Sequence, residues 1–118
     1  MAGRKRLSRA AREAVHAMYG GRCAYCGTEI AYGDMQVDHR EALRSGGEDS
    51  ATNMLPACGS CNHYKRGNSL EGWRKMLEAI PSTLERDSYT YRQGLRFGLV
   101  EPRPRKIVFW FESHEPEA

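Results

Sequence analysis

Two cysteine pairs constrain this chain more than any other feature. Cys23-Ala-Tyr-Cys26 and Cys58-Gly-Ser-Cys61 are two C-x2-C pairs separated by 31 residues. A C-x2-C pair at a tight turn points two thiolates at one ion, and two such knuckles complete a tetrahedral S4 shell. No apolar leader follows the Met-Ala-Gly-Arg-Lys-Arg start, so the pairs read as a zinc site rather than a disulfide framework. A gap of 31 exceeds the usual zinc-ribbon spacing of about 15–20, so a substantial element is expected between the knuckles. With all four ligands protein thiolates, such a zinc ion holds the fold and has no open position for chemistry.

Composition explains why a metal is needed. Only 40% of the 118 residues are apolar and 28% are charged, which predicts one domain with a core small for its length. The zinc would supply folding energy that the core lacks. The longest fully apolar run, Ile107–Phe111, has five residues, against roughly 20 for a membrane span, so an intracellular (cytoplasmic) protein outside the membrane is expected.

The periodicities predict an α+β chain. Residues 1–6 form a basic arm, and Ser8 precedes a helical pattern over about 8–19. Thr28–Ile30 and Met35–Asp38 suggest two short strands joined by a turn at Tyr32-Gly33-Asp34. Residues 44–52 have loop composition, and a short helix is expected from about Ser60 to Arg66. Asn68-x-x-Glu71 and Ser82-x-x-Glu85 resemble capping boxes, predicting two further helices, the first up to Pro81 and the second to about Gly98. Glu101-Pro-Arg-Pro-Arg-Lys106 suggests a stiff extended linker, Ile107–Phe111 a strand, and residues 112–118 an acidic, frayed tail.

Beside the knuckles stand Asp38-His39, Asn53, and Cys61-Asn62-His63-Tyr64-Lys65. Their order, with the Gly46-Gly47 loop and the interlocking cysteines, resembles the HNH endonuclease family over Cys23 to about Lys65. That resemblance implies a ββα-metal core braced by zinc at 23–67; by its length the chain is expected to form a single domain over 1–118, with a helical extension at 68–98. The resemblance implies His39 as the general base that activates water and Asp38 as a ligand of a catalytic divalent ion. Asn62 stands where the family carries His or Asn as the other ligand, and it is favoured over His63. Asn53 matches the middle Asn of the catalytic set, which orients the base or pins the loop, and Lys65, with Arg66 beside it, a basic helix position able to face substrate phosphate.

The residue types suit that chemistry. Phosphodiester hydrolysis needs a base near neutral pH, which a neutral histidine provides. It also needs positive charge beside the phosphorus. The oxygen donors Asp38 and Asn62 suit Mg2+ or Mn2+ better than Zn2+. A net charge of +3 is concentrated in Arg4, Lys5, Arg6, Arg9 and Arg12 and again in Arg103, Arg105 and Lys106, as a DNA backbone partner would favour. The expected function is metal-dependent DNA cleavage, the alternative a catalytically inactive zinc-stabilised nucleic-acid-binding module. One site per chain would cut both strands as a homodimer or by successive nicks. The small size suits a phage or mobile-element accessory nuclease acting with partner proteins.

Overall fold

The computed structural model describes residues 7–117; the basic arm at 1–6 lies outside them. The order of elements is α1 (Arg9–Ala17), β1 (Gln36–His39), β2 (Met54–Ala57), α2 (Gly59–Lys65), α3 (Leu70–Glu78), α4 (Ile80–Asp87), α5 (Tyr89–Arg96) and α6 (Trp110–Ser113). The chain divides into two compact units. One holds the described residues up to Ser69 together with those from Val108 onward, and the other holds Leu70–Ile107. Among the described residues no helix is long and apolar enough to cross a membrane.

In the first unit, α1 starts where its sequence predicts. The Ser8 hydroxyl accepts from the Ala11 amide at 3.1 Å, satisfying one of the orphan donors of the first turn. Val15 carries the apolar face of α1 into a small core with Met35 and Met54, against which Leu7, Ile30 and Val37 pack.

The strands pair differently from the sequence expectation. Thr28–Ile30 does not pair with Met35–Asp38. It folds back on the first knuckle: the Cys23 amide donates to the Thr28 carbonyl at 2.8 Å and the Ile30 amide to Gly21 at 2.8 Å. The Tyr32–Asp34 segment is a 3-10 turn. β1 instead pairs antiparallel with β2, with Asp38 opposite Leu55 and His39 opposite Met54. The reason is burial. All four residues of β2 are buried, whereas Thr28 and Glu29 are exposed, so β2 is the strand whose apolar side chains gain by covering β1. The α2 helix follows as expected, with Cys58 as its N-cap, and completes a ββα unit.

The expected strand at Ile107–Phe111 is absent. Residues 107–109 have no regular structure and pair with no strand among the described residues, and Trp110 already begins the short helix α6. Phe109 is buried edge-on to Tyr25 at 5.5 Å between ring centroids, Phe111 lies 6.1 Å from the same ring, and Trp110 covers Gly27 of the first knuckle. The Trp110 and Phe111 amides donate to the Tyr25 and Ala24 carbonyls at 3.0 and 2.8 Å. A Cβ on Gly27, at φ +79°, would collide with the Trp110 ring. The described part of the acidic tail is also held rather than frayed: His114 stacks on Trp110 at 3.7 Å, and the Glu117 amide donates to the Met18 carbonyl at 2.7 Å.

The second unit is helical. The single helix expected from Ser82 to Gly98 is two. α4 begins at Ile80 with Pro81 in its first turn, where a proline costs no hydrogen bond, and it stops at Ser88. The Ser88 hydroxyl then accepts from the Tyr91 amide at 3.0 Å and starts α5. Trp73 of α3 is buried, and Arg74 donates to the Ile107 carbonyl at 2.6 Å. Residues 101–106 are exposed and without regular structure.

Candidate functional site

The four cysteine sulfurs lie within 4.8 Å of one another, with Cys26 and Cys58 3.9 Å apart. Sulfurs bound at about 2.3 Å to one tetrahedral zinc ion stand about 3.8 Å apart, so the cluster fits a structural zinc ion. The second knuckle is tied to the helix start, where the Cys61 amide donates to the Cys58 sulfur at 3.4 Å. Crowding splits the thiols. The hydrogen bond from Cys61 holds Cys23 down at about 4, the same bond pushes Cys61 well above the thiol range, and burial pushes Cys58 up. Four thiolates this close need a cation before all can ionise.

Asp38 and His39 occupy the end of β1. Asp38 is 8% exposed, and its Oδ2 accepts from the Tyr25 hydroxyl at 2.5 Å and faces the Lys65 ammonium at 3.1 Å. Lys65, from the last turn of α2, is fully buried and also donates to the His39 carbonyl at 3.1 Å. The expectation that Lys65 faces substrate phosphate is therefore corrected. A buried lysine pairs with a buried carboxylate because an unpaired charge there would be costly. Burial pushes the Tyr25 phenol above its usual range, with the Asp38 charge adding to it, so the hydroxyl stays a donor. Two donors do not exhaust a carboxylate, which offers about four lone-pair sites.

His39 lies beside this pair, with Nε2 2.9 Å from Asp49 Oδ1. Asp49 belongs to the loop between β1 and β2, and Asn53 holds that loop. The Asn53 Oδ1 accepts from the Glu41 amide at 3.0 Å, and Nδ2 donates to the Glu41 and Glu48 carbonyls at 2.9 and 2.8 Å. The turn closes tightly enough that a Cβ on Gly47 would collide with the Glu41 carbonyl. Asn53 thus ties down the loop.

Asn62 lies on α2 and donates from Nδ2 to Gln36 Oε1 at 2.6 Å. Gln36 and Asp38 share one face of β1, so the helix amide is held on the strand face that carries the aspartate. His63 is exposed. An open cavity of about 300 Å3 is lined by Asp38, His39, Arg44, Lys65, Arg66 and the neighbouring backbone. Arg66 and Arg44 are exposed, so the cationic side chains able to meet an anion here are these two rather than Lys65. Sequence reasoning missed Tyr25, Asp49, Gln36 and Arg44. Gln36 was findable two residues before Asp38 on the same strand face; a tyrosine inside a knuckle and an acid in a polar loop give no local signal.

Residues 23–67 match the family model described as HNH endonuclease. Among solved structures, the chain is similar to the crystal structure of the Type II-C Cas9 enzyme from Actinomyces naeslundii. The TM-score is 0.51 at 28% identity, over 62% of this chain and 8% of that one, so the match is to a small part of the larger enzyme. No curated protein matches the chain.

Proposed function

We propose that the chain is a metal-dependent DNA endonuclease in which His39 is the general base and Asp38 and Asn62 hold a catalytic Mg2+ or Mn2+. The reading is supported by Asp38 and His39 at the end of β1 and Asn62 on α2 belonging to one ββα unit beside the cysteine cluster, within the segment that matches the nuclease family model. The divalent ion, when bound, supplies positive charge to the phosphate and the leaving oxygen. Asp38 and Asn62 offer it hard oxygen ligands. His39 takes the proton of the attacking water, the water oxygen bonds to phosphorus, the bond from phosphorus to the 3′ oxygen breaks, and that oxygen takes a proton from solvent water. The products by family resemblance are a 5′-phosphate and a 3′-hydroxyl. Arg66 and Arg44, at the cavity, are placed to attract backbone phosphate without reading sequence. The four-cysteine zinc ion is structural.

The test is nicking of supercoiled plasmid by zinc-loaded protein in EDTA, Mg2+ or Mn2+, with His39→Ala alongside. Conversion to open-circle or linear DNA in Mg2+ or Mn2+, reduced about 10²–10⁴-fold in the folded variant, is expected. Equal cleavage by the variant would overturn the base assignment. Absence of cleavage by folded wild-type protein would favour the nucleic-acid-binding module.

A further inference from the structure

We infer that Asp49 is a positioning residue that fixes the tautomer and orientation of the His39 ring; the inference rests on the reading of His39 as the base. The contact is direct, with Asp49 Oδ1 2.9 Å from His39 Nε2. It is also sheltered on the histidine side, whose side chain is 12% exposed against 40% for Asp49. A carboxylate only accepts, so in the neutral ring it selects the tautomer with the proton on Nε2. The ring lone pair is then on Nδ1, and the water proton is taken there.

The loop that carries Asp49 is fixed one residue earlier. Asn53 Nδ2 holds the Glu48 carbonyl at 2.8 Å, and the Asn53 amide donates to the Ser50 carbonyl at 2.9 Å. Ser50 Oγ meets Glu48 Oε2 at 3.3 Å and Thr52 Oγ1 at 2.9 Å. The carboxylate is therefore presented by backbone pinned on both sides, unlike that of a solvated surface acid. Asn53 pins the loop, the loop aims Asp49, and Asp49 aims His39. The two roles that the resemblance gives to the middle asparagine become one chain of contacts.

The experiment uses the full zinc-loaded chain as wild type, Asp49→Ala and Asp49→Asn. Long-range 1H–15N correlation, at a pH where the ring is neutral, reads the His39 tautomer without DNA or Mg2+. Wild type is expected to show one tautomer, protonated on Nε2, and Asp49→Ala an average of two. In plasmid nicking, Asp49→Ala is expected to lower kcat about 10–100-fold at unchanged KM, the range typical of groups that orient a catalytic ligand. Asp49→Asn keeps a carbonyl acceptor and recovers part of the loss; it also carries the test if the alanine variant fails to fold. An unchanged tautomer in folded variants of an active enzyme overturns the inference and leaves the nuclease reading standing. A tautomer that depends on Asp49 in a wild type that does not cut DNA upholds the positioning and overturns the nuclease reading.

Discussion

The two units of this chain solve the problem of a sparse core in opposite ways. In the unit with the cysteine cluster, most buried residues are aromatic, sulfur-bearing or paired polar groups: Tyr19, Tyr25, Phe109, Cys23, Met35, Met54, and the Asp38–Lys65 pair. In the helical unit Trp73 is the buried residue among those described, while Met76, Leu84, Tyr89, Phe97, Leu99 and Val100 are exposed. One unit is held at defined points by directional bonds. The other relies on local helix formation and caps such as Ser88, and it leaves apolar surface uncovered.

The largest effect that can break this contrast is on the metal cluster. Cys58→Ser removes one ligand while keeping a hydroxyl able to cap α2, and it should abolish zinc binding and unfold the first unit, seen as zinc loss and collapse of the near-ultraviolet circular dichroism. A variant that keeps its tertiary signal without zinc would show that the core suffices alone. Lys65→Met comes next. It leaves Asp38 buried without its ammonium partner and should cost about 3–5 kcal/mol in denaturant unfolding at saturating zinc. An unchanged midpoint would mean that the pair contributes nothing to the fold. The smallest effect is expected in the other unit. Phe97 and Leu99 are 74% and 80% exposed, so changing either to serine should shift stability by no more than about 0.5 kcal/mol in the same assay.

The same contrast governs what the sequence could reveal. The knuckles, α1 and α2 depend on neighbours within a few residues: a cysteine spacing, a Ser8 cap, a cap by Cys58. Asp38, His39, Asn53 and Asn62 could be read as a candidate set from their order along the chain, although what each side chain touches could not. The strand partner was misplaced because β2 lies beyond the 40–53 loop, and nothing local to Met35–His39 distinguishes it from Thr28–Ile30. Lys65 was misread because a lysine at a helix end usually meets water, and only the carboxylate beneath it shows that its charge is used internally. The break at Ser88 has its signal in a hydroxyl that caps α5, hidden inside a run that otherwise suits one helix.

The seat of Trp110 on Gly27 bears on the order in which the molecule is made. The two knuckles leave the ribosome well before residues 109–111, so zinc can close the cysteine cluster while the Tyr25 ring is still uncovered. The tyrosine whose hydroxyl grips Asp38 is packed only when Phe109 and Phe111 arrive from the far end of the chain. Closure of the cysteine cluster and completion of the surroundings of the Asp38 carboxylate thus depend on segments made at different times.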